Sequence, residues 1–150
     1  MIIEPRMNTN KHECDMAETI LFKDEIYEIA GAAMSVLNHL GHGFNEKVYE
    51  NALAIELKNK NISFQKQKPY EIFYRNELVG TYIPDFVVEN KIILELKTIE
   101  NITNHEKGQV IHYLKTTHLS LGLILNFKHA KLEWQAANSA GKSFVLICVY

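Results

Sequence analysis

No apolar run in these 150 residues approaches the ~18 that a membrane span requires, so no membrane-spanning segment is expected. Cysteine is scarce. Cys14 and Cys148 stand near opposite ends without C-x-x-C spacing, which argues against a zinc ribbon, a thioredoxin-type site or a disulfide framework. An excess of positive charge is also missing: the formal net charge is −2. That excludes a bulk basic field but leaves room for a local stripe of Lys and Arg. The opening MIIEPRMNTNKHECDM carries acidic residues and has no apolar centre, so it does not read as a signal peptide. A cytoplasmic protein is the expectation.

What is present is an ordinary globular composition, 47% hydrophobic and 23% charged. The length suits one domain with a real core. Residues 1–17 are polar and without periodicity, and are expected to form a flexible N-terminal extension to a domain over 18–150. From Phe22 the apolar residues recur at three- and four-residue steps through Ile26, Ile29, Ala30, Ala33, Val36, Leu37 and Leu40, a helical pattern. Gly41-His42-Gly43 should end it, and Asn45 should cap a second helix with Val48, Tyr49, Ala52, Leu53 and Leu57 on its apolar side.

From Ile62 the period shortens to two. ISFQKQ, YEIFY, LVGTYIPDFVV and KIILELK read as strands, with turns at Arg75-Asn76-Glu77 and Glu89-Asn90-Lys91. Thr103 and Glu106 form a capping-box pattern for a helix to about Thr117. LSLGLILNF, KLEWQ and SFVLICVY are further strands. The fold expected is α/β (α+β), a central mixed sheet with flanking helices.

One hairpin holds charges where a sheet prefers Val, Ile and Leu. Alternation puts Glu95 and Lys97 on one face and Leu94 and Leu96 on the other. A three-residue loop over Glu89–Lys91 sets Val88 opposite Ile92 and Asp85 opposite Glu95; a two-residue loop makes the two acids diagonal neighbours. Carboxylates so close repel unless a cation intervenes. Mg²⁺ or Mn²⁺ meets that need, with oxygen ligands from Asp85 and Glu95 and the backbone carbonyl of Leu96. Lys97 would then face developing charge on a phosphoryl group. A lone Glu-x-Lys on a strand is ordinarily just a solvated face. The combination of Pro-Asp, a hairpin-length gap and an apolar-flanked Glu-x-Lys is what favours the site.

Pro84-Asp85…Glu95-Leu96-Lys97 resembles the signature of the PD-(D/E)XK nuclease superfamily. Gly43-Phe44-Asn45-Glu46-Lys47-Val48-Tyr49 is similar to the motif of its GxxExxY branch. YENALAIEL, GTYIPDFVVENKIILELKTIE, HEKGQVIHYLK and LGLILNF extend the resemblance over roughly residues 24 to 135. It implies a restriction-endonuclease-like core and a metal-dependent phosphodiester hydrolase acting on nucleic acid, DNA by analogy. It implies that Glu46 joins Asp85 and Glu95 as metal ligands and that Lys97 is the catalytic lysine. Gln109 and Tyr113 match a Q-x-x-x-Y arrangement of RecB-like nucleases and would position substrate, with Tyr49 either joining them or packing in the core. The alternative is a non-catalytic module that keeps the fold and binds nucleic acid or protein. A homodimer or an accessory protein partner is compatible with either reading.

The seven histidines lack a zinc spacing, and surface or capping roles are expected for them. Trp134 is expected to pack on the sheet. Lys58, Lys60, Lys66, Lys68, Lys107, Lys115, Lys128 and Lys131 are the candidates for phosphate contacts, with no pattern that spells base-specific reading.

Overall fold

The computed structural model describes residues 22–139 together with the backbone of 145–146. The expected extension over 1–17 and most of SFVLICVY lie outside those residues.

Two helices come first. Helix α1 (Lys23–Leu40) buries Ile26, Ile29, Ala30, Ala33, Val36 and Leu37, the expected apolar stripe. Gly41 ends it at φ +76° and Gly43 follows at φ +111°, conformations that glycine adopts without a Cβ penalty. Helix α2 (Glu46–Asn59) starts where expected, with the Asn45 side chain accepting from the Val48 N–H at 3.3 Å.

The strands are β1 (Phe64–Lys66), β2 (Tyr70–Tyr74), β3 (Glu77–Tyr82), β4 (Phe86–Val88), β5 (Ile92–Lys97), β6 (Leu121–Asn126), β7 (Glu133–Asn138) and β8 (Val145–Leu146). Helix α3 (Asn104–Thr117) separates β5 from β6. Its capping box is complete, Thr103 and Glu106 each closing on the other's backbone. Six strands form one mixed sheet in the order β1-β4-β5-β6-β7-β8, with β5 and β6 parallel and the other pairs antiparallel. The parallel step needs a crossover, which α3 supplies.

LVGTYIPDFVV differs from the single strand expected for it. It breaks at Ile83-Pro84-Asp85 into β3, which pairs only with β2, and β4, which joins the main sheet. Pro84 has no N–H to give a ladder, so the chain leaves one sheet there and enters the other.

The two faces of the sheet carry separate cores. Even-numbered β5 residues Ile92, Leu94 and Leu96 pack with Leu121, Leu123, Leu125, Phe127 and Trp134 under α1 and α2. Odd-numbered Ile93 joins Ile124, Ala137, Val110 and Leu114 under α3. Helix α3 approaches closely over Gly122, where a Cβ would stand 2.2 Å from the Val110 methyl. Among the described residues no helix is long and apolar enough to cross a membrane.

Candidate active site

The hairpin register follows the three-residue-loop arithmetic. Val88 faces Ile92, Val87 faces Ile93, and Phe86 faces Leu94. Glu89 and Asn90 turn the chain at φ +53° and +55°, and the Lys91 N–H donates to the Val88 carbonyl at 3.0 Å. Asp85 lies one residue beyond the last pair. Its carboxylate takes the place of a ladder partner, with Oδ2 accepting from the Leu96 N–H at 2.8 Å. In an extended strand the N–H and C=O of one residue point to the same side, so the Leu96 carbonyl also faces Asp85. The Lys97 carbonyl points the other way and accepts from the Phe127 N–H at 2.8 Å.

Glu95 and Lys97 project from the α3 face of β5, opposite Leu94 and Leu96. Glu95 is held from above by Tyr82, whose hydroxyl donates to Oε1. Tyr82 in turn stacks on Tyr113 of α3, with ring centroids 3.5 Å apart and planes at 12°. Hairpin β2–β3, strand β5 and helix α3 therefore meet at one carboxylate.

Burial works against charge on both acids. It pushes the Glu95 carboxyl up to about 7; the Tyr82 hydrogen bond opposes the shift, Asp85 adds to it and Lys97 opposes it. Burial also raises Asp85, countered by the Leu96 N–H and reinforced by the charges of Glu50 and then Glu46. Tyr82 is raised mainly by its own burial, with the neighbouring Glu95 next, so its hydroxyl stays a donor across the working pH range.

This donor set fits a hard divalent cation. Two carboxylates that resist ionisation side by side are stabilised by an ion between them, and Mg²⁺ takes one or two protein carboxylates with the remaining positions filled by other oxygens. Asp85 spends Oδ2 on Leu96 and Glu95 spends Oε1 on Tyr82, leaving Oδ1 and Oε2 to reach a ligand. Among the described residues no group of three or more His, Cys, Asp and Glu side chains is placed to hold a metal. The acids of α2 thus bear on the pair electrostatically without closing a three-carboxylate cage.

Glu46, the first residue of α2, is solvent-exposed, and its charge is felt at both Asp85 and Glu95. Glu50, one turn on, went unnoticed in the sequence yet weighs more on Asp85 than Glu46 does. It is 5% exposed and accepts from Gln67 Nε2 at 3.0 Å, with Lys47 at 3.4 Å and Lys66 at 3.6 Å. The four-residue step from Glu46 was the available signal, since it puts both acids on one helix face. Tyr82 was also missed. Its signal was alternation toward the site just before Pro84-Asp85.

Tyr113 reaches the site through Tyr82, and Gln109 precedes it by one helical turn on the same face, half-buried. Tyr49 belongs elsewhere. It is fully buried, stacks on Phe127 at 4.7 Å, donates to the Gly41 carbonyl at 2.7 Å and accepts from the Phe44 N–H at 3.2 Å. Both capacities of its hydroxyl are spent holding the Gly41–Phe44 turn, so from this position it reaches no substrate.

The loop from β5 to α3 is pinned by a polar cluster that the sequence did not announce. Buried Asn126 accepts from the Ile99 N–H at 3.1 Å and donates to the Ile99 carbonyl at 2.7 Å and to Glu133 at 2.9 Å. Glu133 also accepts from the Ile102 N–H at 3.2 Å. Trp134 is 1% exposed and packs under α1 and α2. His39, His42, His105 and His112 are exposed, His118 caps α3 in the left-handed conformation, and His129 contacts the Glu100 carbonyl. Of the candidate phosphate-binding lysines, Lys66 is occupied by Glu50 and Asn51, and Lys128 by Glu100. A cavity of about 180 Å³ lined by Glu25, Glu28, Ile62 and Lys91 lies at the opposite end of the hairpin, away from these charges.

A mixed sheet flanked by helices, with Asp, Glu and Lys gathered where a hairpin leaves its last pairing, defines a restriction-endonuclease-like fold. The chain belongs to the PD-(D/E)XK nuclease superfamily, whose family model matches residues 23–137. That membership points to nuclease activity in general, to nucleic acid as the substrate class and to divalent metal ions as the usual cofactor. No individually curated relative matches the sequence.

Proposed function

We propose that this protein, a member of the GxxExxY branch, hydrolyses phosphodiester bonds in DNA with Mg²⁺ or Mn²⁺. The observation that carries the reading is the junction at the end of β5. Asp85 is anchored on the Leu96 N–H, Glu95 is anchored on Tyr82, and Lys97 acts electrostatically on both acids.

Asp85, Glu95 and the Leu96 carbonyl would hold the ion, with the charges of Glu46 and Glu50 on α2 adding to its attraction. Bound there, it supplies Lewis-acid polarisation and charge neutralisation. Hydrolysis forms a bond from a water oxygen to phosphorus and breaks the bond to the leaving oxygen, which takes up a proton. Lys97 places its ammonium where negative charge accumulates on the phosphoryl oxygens. Tyr82 fixes the orientation of Glu95, so that carboxylate need not reorganise as charge develops. Gln109 and Tyr113, on the helix above, hold the substrate strand against the site.

The test compares cleavage of single- and double-stranded DNA and RNA with Mn²⁺ by wild type and Lys97→Ala. Cleavage of DNA that disappears in the variant is the expected result. Calorimetric metal binding by a wild type that cuts none of the four substrates would overturn the proposal in favour of a non-catalytic binding module. Metal titration of Glu46→Gln and Glu50→Gln separates the α2 acids, the weaker binder marking the acid that matters.

A further inference from the structure

The β2–β3 hairpin projects from the α3 side of the molecule as a sheet of its own. Its inner side is seated, with Tyr70, Ile72 and Tyr82 packed in the core under α3. Its far half is not. Phe73, Tyr74, Leu78 and Val79 near the tip are each between 56% and 61% exposed, and Ile83, just past the base of β3, is 54% exposed. Neither strand has a second partner, so both outer edges of the hairpin are open among the described residues. An apolar concentration of this kind marks an interaction surface, and open strand edges are templates for pairing with another chain.

We propose that this hairpin is the self-association surface of the protein, meeting the same hairpin of a second copy across a two-fold axis. Charge decides between the candidate occupants. From Lys68 to Ile83 the hairpin carries Lys68 and Arg75 against Glu71 and Glu77, two cations and two anions. A strand of nucleic acid needs a cationic excess along its path. A two-fold interface needs a patch complementary to itself, which an apolar centre flanked by equal numbers of opposite charges provides.

The area is also adequate. Phe73 and Leu78 lie opposite each other on the face turned away from α3 and Tyr74 on the other face, so a second copy that clasps the tip from both faces would bury at most about 1,000 Å², the lower limit for a specific interface. The charge of the whole chain, −2, offers little repulsion to a second copy. Arg75 and Asn76 make the turn at φ +47° and +63°, the pattern of a tight hairpin turn whose twist matches its strands, so the surface is preformed. This inference stands whether or not the site cleaves nucleic acid.

Sedimentation equilibrium on the full chain, with and without a DNA duplex, tests it. The double variant Leu78→Glu/Val79→Glu removes the patch, Phe73→Ser gives a milder form, and Ile55→Glu alters an equally exposed residue on α2 as the control. Wild type and Ile55→Glu should dimerise alike at roughly 100 µM or below, while the double variant should bind itself at least ~10-fold more weakly, the loss expected for charges in an interface centre. Unchanged melting in both hairpin variants shows that the fold is intact. A wild type that stays monomeric at ~500 µM, well past the range in which an interface of this size is expected to associate, overturns the proposal. So does a dimer that the double variant leaves undisturbed. Loss of DNA binding with an unchanged association state would make the hairpin a nucleic-acid contact instead.

Discussion

Strand β5 has two sides with opposite physics. Leu94 and Leu96 sit at 0% and 1% exposure in a continuous apolar layer beneath α1 and α2. Glu95 and Lys97, one residue along in each case, face α3 beside Tyr82 and Asp85, and burial acts against ionisation of the two carboxyls there. The first side contributes stability by removing hydrocarbon from water. The second holds charged groups against a desolvation cost. A strand can serve both purposes because its side chains alternate, and the dry face supplies the rigidity that keeps the charged face in place.

Exchanging the roles of the two sides gives the largest effects. Lys97→Ala should reduce cleavage by ~10²–10³-fold, the range for removing one charge-stabilising group, and leave the unfolding free energy within about 1 kcal/mol. Leu94→Ala should do the reverse: a loss of roughly 2–5 kcal/mol of stability in denaturant melts, with activity of the folded fraction kept. Equal losses of both properties in both variants would erase the distinction between the faces.

A pH series in the absence of divalent ions sharpens it next. Glu95 has its carboxyl raised from 4.5 to about 7 in the folded chain. Between those values Glu95 makes the folded state bind more protons than the unfolded state, so the stability this carboxyl contributes is fully present below about 4.5 and is lost as pH rises through 7. Asp85 is shifted in the same direction. The loss from Glu95 amounts to about 3 kcal/mol. Glu95→Gln should flatten the curve, and saturating Mg²⁺ should restore stability at pH 8. A metal-free wild type whose stability rises from pH 5 to 8 would contradict the buried-acid picture.

Smaller effects separate packing from chemistry on the α3 side. Gly122→Ala brings a Cβ against Val110 beneath the helix that carries Tyr113. It should cost about 1–3 kcal/mol and lower activity as α3 shifts, seen as a change in the Tyr82–Tyr113 contact by near-ultraviolet circular dichroism. Thr103→Ala removes the cap of the same helix and should cost about 1 kcal/mol in melting experiments, with cleavage almost unchanged.

Much of this is legible in the sequence. The ends of α1, α2 and α3 followed from Gly41, Asn45 and the Thr103–Glu106 pair, because a cap is decided within a few residues of chain. That Asp85 and Glu95 come close followed from either loop length the sequence allowed, and the three-residue loop that sets them opposite is the one the structure shows. The strand break at Pro84 is a local signal too: a residue without an N–H outweighs the apolar run around it. Glu50, Tyr82 and the Asn126–Glu133 cluster were not legible in the same way. Each acquires its role from a neighbour 7 to 31 residues distant in the chain, across a packing that no short window contains.

By itself, then, the sequence determined the periodicities, the helix caps and the acid–acid–lysine spacing, and narrowed the hairpin register to two choices, all set by sterics and hydrogen bonding between near neighbours. Only the tertiary structure decided which acid of α2 weighs most on Asp85, that Tyr82 is the residue holding Glu95, that Tyr49 locks a turn instead of facing substrate, and that the hairpin tip stays uncovered. Those outcomes depend on how separately stable elements meet, and on the desolvation that results. Burial and the field of distant charges belong to the assembled molecule.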